Sequence, residues 1–258
     1  MTPRDNRRTV YVAGWPKSGS SWFAWLLGDA LDCPVGAWNS NNDERDFATE
    51  GRHRKGPFVV RRGHFRLVDD EGGPAALGVC RLAWKNLTDE AVFYIIRDPR
   101  DVLVSAAHYW GRHLAERLDW MISGHETHGN WNDTINEWLD APFKRTLMRY
   151  EVLVADCPTA LHHALVDAGL PRSLASLKET CMRQCFNQRR RSLAARPGGR
   201  FIPEAFFWKG QAGSWKGRLD CDMGKQIEEH FGATMRRLGY EDDPEWWRDL
   251  PERALSQI

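Results

Sequence analysis

The sequence carries no long hydrophobic run, no excess of one charge, no internal repeat and few cysteines. Its densest apolar run, Ala91 to Ile96, falls far short of the ~20 residues that cross a bilayer. The basic start, with Arg4, Arg7 and Arg8, leads only into a short apolar strand, so no signal-peptide core is expected. Lys and Arg number 36 against 35 Asp and Glu, a net charge of +1 that argues against a dedicated nucleic-acid binder. The six cysteines (33, 80, 157, 181, 185 and 221) form no CxxC pair and have no histidine at zinc spacing. They read as buried or idle thiols of a reducing compartment, so the expected location is the cytoplasm, away from membranes.

The 258 residues suit one large α/β domain or two small ones; a single domain, 1–258, is expected, large enough to bury a core without staples. Thirteen tryptophans supply core and wall area. Thr9 to Ala13 is β-branched and aromatic and reads as a buried strand. Gly14 to Ser21 is a run of turn formers and small polar residues. From Trp22 onward apolar residues recur at helical spacing until Cys33 and Pro34. Strand, glycine-containing loop and helix make the layout of a phosphate-binding βα unit. Residues 36–57 read as a long loop, and Phe58 to Val60 as a second strand running into Arg61, Arg62, Gly63 and His64. Ala91 to Ile96 is a third strand, of the kind buried on both faces. Pro99 opens a helix that runs to about residue 113. Trp131 to Leu139 is another helix, Thr146 to Met148 a fourth strand, and further helices lie near 157–168 and 225–238. This alternation predicts a doubly wound parallel sheet with its ligands at the carboxyl ends of the strands.

Three segments bear on chemistry. In Pro16 to Trp22, small residues before a helix leave backbone N–H groups open to an anion, with Lys17 as a point charge and Ser20 and Ser21 as hydroxyl donors. The lysine stands before Gly19, so this is not a Walker A loop; the plainer reading is a helix start with a surface lysine. In Arg97 to Ser105, an arginine leaves the end of a buried strand and a serine follows two turns into the helix, a pair suited to a phosphate. Pairing of Asp98 with Arg100 on the surface of an Asp-Pro helix start explains the aspartate well and Arg97 poorly. In Trp208 to Lys216, two glycines with flanking lysines fit an anion-gripping loop, a weak pattern in isolation.

Taken in order, these segments resemble the PAPS-dependent cytosolic sulfotransferase family, where PAPS is 3′-phosphoadenosine 5′-phosphosulfate. The family's 5′-phosphosulfate loop reads roughly YPKSGTTW, against WPKSGSSW here; its 3′-phosphate segment reads RDPRDVxVS, against RDPRDVLVS; its C-terminal loop reads RKGxxGxWK, against WKGQAGSWK. The stretches GNWNDTINEWL and MRYEVL also look like family segments, so the resemblance runs from about residue 10 to 240.

The resemblance implies roles residue by residue. Lys17 would hold the bridging and sulfuryl oxygens, with amides and hydroxyls of Ser18, Gly19, Ser20 and Ser21. Trp22 would stack on the adenine. Arg97 and Ser105 would take the 3′-phosphate, with Lys209 and Gly210 closing over it. Tyr150, Cys185 and Phe186 would line the nucleoside. His64 matches the histidine after the second strand and would be the general base on the acceptor, since imidazole titrates near working pH. The reaction would be in-line transfer of a sulfuryl group to a hydroxyl or amine of a small organic acceptor, releasing 3′-phosphoadenosine 5′-phosphate (PAP), without a metal. Lys17, His64 and Ser105 form the expected catalytic set.

Three departures stand out. Trp208 replaces the family arginine before Lys-Gly, so Lys209 or one of Arg189, Arg190 and Arg191 is expected to take its contact; the same three arginines read otherwise as a solvated charge run. Arg61-Arg62-Gly63 replaces the usual Lys-Thr before the histidine, and Cys185 replaces a serine. Residues 36–57 and 65–85 should wall the acceptor, with Trp15, Trp38, Trp84 and Trp110 as lining, a composition suited to specialised metabolism. The acidic cluster Asp43, Glu44 and Asp46 stands beside Arg45, Arg52, Arg54 and Lys55 and does not fix the acceptor's charge. A non-catalytic PAP-binding protein and a P-loop kinase are the rival readings, and the oligomeric state stays open.

Overall fold

The computed structural model describes residues 7–37, 54–68, 80–83, 85, 87, 90–111, 113–124, 129–194 and 209–252. In chain order the strands are β1 (Arg8–Gly14), β2 (Val35–Ala37), β3 (Phe58–Gly63), β4 (Phe65–Val68), β5 (Cys80–Ala83), β6 (Ala91–Ile96) and β7 (Thr146–Arg149). The helices are α1 (Ser20–Ala30), α2 (Pro99–Trp110), α3 (Leu114–Ser123), α4 (Trp131–Leu139), α5 (Tyr150–Ala155), α6 (Cys157–Asp167), α7 (Leu174–Arg183), α8 (Phe186–Ala194) and α9 (Cys221–Arg237).

The central sheet has the order β2-β3-β1-β6-β7 with every pairing parallel, and β4 and β5 form a separate parallel pair. Its middle strands are buried on both faces, as their unbroken apolar runs predict. In β6 the side chains alternate between two cores. Val92, Tyr94 and Ile96 pack with residues of α2, α3, α4 and α9, and Phe93 and Ile95 pack with α1, α6 and α7. Tyr94 stacks on Trp138 of α4 at 4.5 Å, and Phe23 of α1 meets Phe93 edge-on at 5.5 Å. This is the doubly wound parallel α/β architecture the sequence implies.

The register decides where the site lies. Ala13 is level with Gly63, and Gly14 with Ile95, so β1, β3 and β6 end side by side. A Cβ on Gly14 would come within 2.7 Å of Ile95, which shows how closely these strand ends approach. From β1 the sheet order proceeds through β3 to β2 on one side, and on the other through β6 to β7, so the crevice opens between β1 and β6.

Several expectations change in detail. The phosphate-type loop is shorter than expected: Ser20 and Ser21 already belong to α1, because Gly19 (φ 93°) completes the turn. Helix α2 stops at Trp110, not near 113, because Gly111 adopts φ 62° and its N–H caps the carbonyl of Ala107. The stretch expected as loop from 36 begins as the edge strand β2, while 38–53 lies outside the described residues, as do 69–79, Trp84 and Trp208. The cysteines are not all idle thiols, since Cys157 and Cys181 are bonded to each other across α6 and α7, with Cα atoms 6.2 Å apart. Spacing alone missed this pair because the turn after α6 brings two distant positions together. Among the described residues, no helix is long and apolar enough to cross a membrane.

Candidate active site

The loop between β1 and α1 is held in a shape few sequences tolerate. Lys17 has φ 70° and Gly19 φ 93°, both left-handed, and the Ser18 amide donates to the carbonyl of Trp15. A Cβ at Gly19 would lie 2.6 Å from the Tyr150 ring, so only glycine fits between loop and ring. No side chain caps α1, which leaves its first amides open to an anion, and Gly19, Ser20 and Ser21 line the cavity described below. A non-glycine residue at positive φ is the kind of strain that collects at functional sites. Here it carries the Lys17 ammonium to 3.7 Å from the centre of the Tyr109 ring. Burial, and then the neighbouring Arg97, lower the Lys17 pKa to about 7.

From the end of β6, Arg97 enters the same space. It is 8 % exposed, lies over the Tyr150 ring at 4.2 Å, and donates to the carbonyls of Lys17 (3.2 Å) and Gln211 (3.1 Å). Asp98 caps α2 by accepting from the Arg100 amide and pairs with the Arg100 side chain, but the pair is buried and not on the surface as expected, because Trp215 and Trp246 cover the guanidinium. Trp22 donates its indole N–H to the carbonyl of Gln184 and meets Tyr150 edge-on.

After β3, the Nδ1 of His64 lies 2.7 Å from the carbonyl oxygen of Gly14. A carbonyl only accepts, so Nδ1 carries a proton, and in the neutral form of the ring the lone pair lies on Nε2.

One cavity of about 430 Å³ gathers these groups. Among the expected site residues it is lined by Lys17, Gly19, Ser20, Ser21, Trp22, His64, Arg97, Ser105, Tyr150, Phe186, Lys209 and Gly210. Two expected residues do not line it. Ser18 is fully buried, with no hydrogen-bond partner for its Oγ among the described residues, and Cys185 stands beside Phe186 outside the lining. Trp15 does not line this cavity: it is 1 % exposed, packs against Trp120 at 5.5 Å, and borders a separate small pocket together with His64. Trp110 does line the cavity at its rim, 38 % exposed. The charge run splits. Arg189 is buried over the Trp25 ring at 4.0 Å, and Arg190 and Arg191 are exposed.

Sequence reasoning missed Tyr109, Trp25, Arg62 and Gln211, all of which line the cavity. Tyr109 was within reach, because it follows Ser105 by four positions and shares its helix face. Trp25 follows Trp22 by three in α1 and carried the same signal.

A family model described as a sulfotransferase domain matches residues 84–239. Sulfotransferase 2A1 of Macaca fascicularis is 23% identical over 89% of this chain and 85% of its own length. Sulfotransferase 2A6 of Rattus norvegicus is 38% identical over 48% of this chain and 46% of its own. Among solved structures, a mouse sulfotransferase complexed with PAP aligns with a TM-score of 0.69 at 18% identity, covering 95% of this chain and 88% of that one. A retinol dehydratase in complex with retinol and PAP aligns with a TM-score of 0.61 at 17% identity, covering 88% and 81%.

Proposed function

The chain belongs to the cytosolic-type sulfotransferase family, and from that premise we propose that it transfers the sulfuryl group of PAPS to a hydroxyl or amine of a small organic acceptor. The observation that carries this reading is the meeting of Lys17, Arg97 and His64 at one cavity, each delivered by the end of a different adjacent strand.

The residues fit an anionic nucleotide. Burial first, and then the like charge of Arg97, lowers the Lys17 pKa to about 7, a setting in which a bound anion restores the lysine's charge. The uncapped amides of α1 and the hydroxyls of Ser20 and Ser21 add donors, and Ser18 Oγ is a further donor without a partner among the described residues. In this reading Lys17 and the loop amides hold the 5′-phosphosulfate. Arg97 and Ser105 hold the 3′-phosphate, with Lys209 and Gly210 above it, and Trp22, Tyr150 and Phe186 wall the nucleoside. PAPS, when bound, supplies a sulfuryl group already activated by a phosphate leaving group. His64 accepts the acceptor proton at Nε2 while its Nδ1–H stays bonded to Gly14, so the ring keeps one orientation throughout. Lys17 and the amides neutralise charge that grows on the departing oxygen. Neighbouring structures hold retinol or androsterone beside PAP, which supports a small organic acceptor here. The reading takes 1–258 as one sulfotransferase domain; the cytoplasmic location expected from reduced thiols has the Cys157–Cys181 bond against it.

The test is calorimetry of PAP with the wild-type chain, Lys17→Ala and Arg97→Ala, with ATP as control, followed by PAPS turnover on an acceptor panel. Selective PAP binding weakened by both substitutions, with turnover abolished in His64→Ala while PAP still binds, is the expected result. Equal binding of ATP, or none of PAP, would overturn the donor assignment. PAP binding without turnover of any acceptor would favour a non-catalytic nucleotide binder.

A further inference from the structure

The segment 209–216 reaches the cavity through Lys209, Gly210, Gln211 and Ser214, yet it belongs to no helix or strand. Something outside regular structure must hold it in place. The Asp101 carboxylate does so from the first turn of α2. Its Oδ2 accepts from the Gly213 amide at 2.7 Å and its Oδ1 from the Trp215 amide at 3.1 Å. The side chain is fully buried, and Oδ2 lies 3.8 Å from Arg97 Nη2. Arg97 in turn donates to the Gln211 carbonyl. The loop is therefore gripped by an ion pair, with the cation on one carbonyl and the anion on two amides.

The two grips differ in permanence. Trp215 lies against Trp246 at 5.6 Å and under the Arg100 guanidinium at 4.2 Å, so the downstream end of the loop is packed into the protein. Gly210, at the upstream end, sits against the Phe186 ring, where a Cβ would come within 2.6 Å. Arg97 is also the group that a phosphate in the cavity would draw on, so its bond to Gln211 competes with ligand. Asp101 makes no such choice: it is an anion, it does not line the cavity, and its acceptors are already committed to the loop.

We infer that Asp101 is a positioning residue that latches the segment 209–216 over the nucleotide and sets how slowly the nucleotide leaves. The inference rests on the PAP reading of the cavity. Two charge-assisted bonds from a buried carboxylate hold the loop closed when Arg97 turns its donors to the phosphate.

The test uses Asp101→Asn, which keeps the shape and one acceptor oxygen but loses the charge. Hydrogen exchange of the ligand-free chain should find the Gly213 and Trp215 amides protected in the wild type and exposed in the variant. Stopped-flow measurement should find PAP dissociating about tenfold faster from the variant, the scale of one charged hydrogen bond, with association little changed. The donor KM should rise while the single-turnover rate of transfer holds, a split that general loss of structure does not produce. Fast exchange of both amides in the wild type, or an unchanged dissociation rate in the variant, would overturn the latch. The wild-type exchange decides even if the variant does not fold. Wild-type chain that binds no PAP at all overturns the nucleotide reading together with the latch, whereas PAP binding with unchanged dissociation overturns the latch alone.

Discussion

Lys17 is a lysine that the free protein holds only loosely charged. Its pKa is lowered from 10.5 to about 7 by burial and by Arg97, so above that pH the folded chain lacks a proton the unfolded chain still carries. Stability of the ligand-free chain is therefore expected to rise with pH across the window from about 7 to 10.5, through this group. Anion binding reverses the sign. A phosphate beside Lys17 restores its charge, so binding above pH 7 takes up a proton. Affinity for PAP should then fall with rising pH, by up to about tenfold per unit. Calorimetry at pH 8.5 in two buffers of different ionisation heat checks this, and equal heats would sink it. A second residue-scale expectation concerns Gly19→Ala, which adds a Cβ 2.6 Å from the Tyr150 ring at φ 93°. It should cost about 1–3 kcal/mol in chemical denaturation and abolish PAP binding. At this scale the sequence was most legible where a motif spans consecutive positions, as in Pro16 to Trp22 and Arg97 to Ser105. Motif order cannot say which side of a loop a ring takes. Trp15 is core while Trp22 is wall.

Elements were legible in proportion to how far burial writes itself into a run. β6 appears with its expected bounds because its run is apolar on both faces, and α4 because Asn130 caps it by accepting from the Asp133 amide. α8 was missed because it is nearly all polar, and the buried member of its charge run, Arg189, is covered only once Trp25 lies beneath it. β2 was missed because three residues at a sheet edge carry no period. The α6–α7 pair, invisible to spacing, makes a prediction of its own. The Cys157–Cys181 bond closes a separation of 24 residues, so replacing both by serine should cost about 3 kcal/mol by loop-closure entropy. Denaturant unfolding with and without reductant measures it, and identical curves would argue against the bond. The effect should reach the cavity, because Gln184, at the end of α7, accepts from Trp22 and donates to Asp29 of α1.

On the scale of the whole molecule, two cores on opposite faces of one sheet fix the strand ends, and the strand ends fix the site. Breaking the stack of Tyr94 on Trp138 tests that dependence. Trp138→Ala removes a fully buried ring from the α4 side and should cost about 3–5 kcal/mol. Chemical denaturation reads this, and a loss below 1 kcal/mol would mean the layer repacks freely. The near balance of charge, +1 over the chain, hides an uneven arrangement: Lys17, Arg62, Arg97 and Lys209 all line one cavity. To an approaching multivalent anion the molecule is not neutral but a funnel. Low-dielectric walls focus the field of those cations outward, so capture should be far faster than for a featureless surface of the same net charge. Salt would blunt it over a Debye length of about 10 Å at 0.1 M, leaving the rate of escape almost untouched.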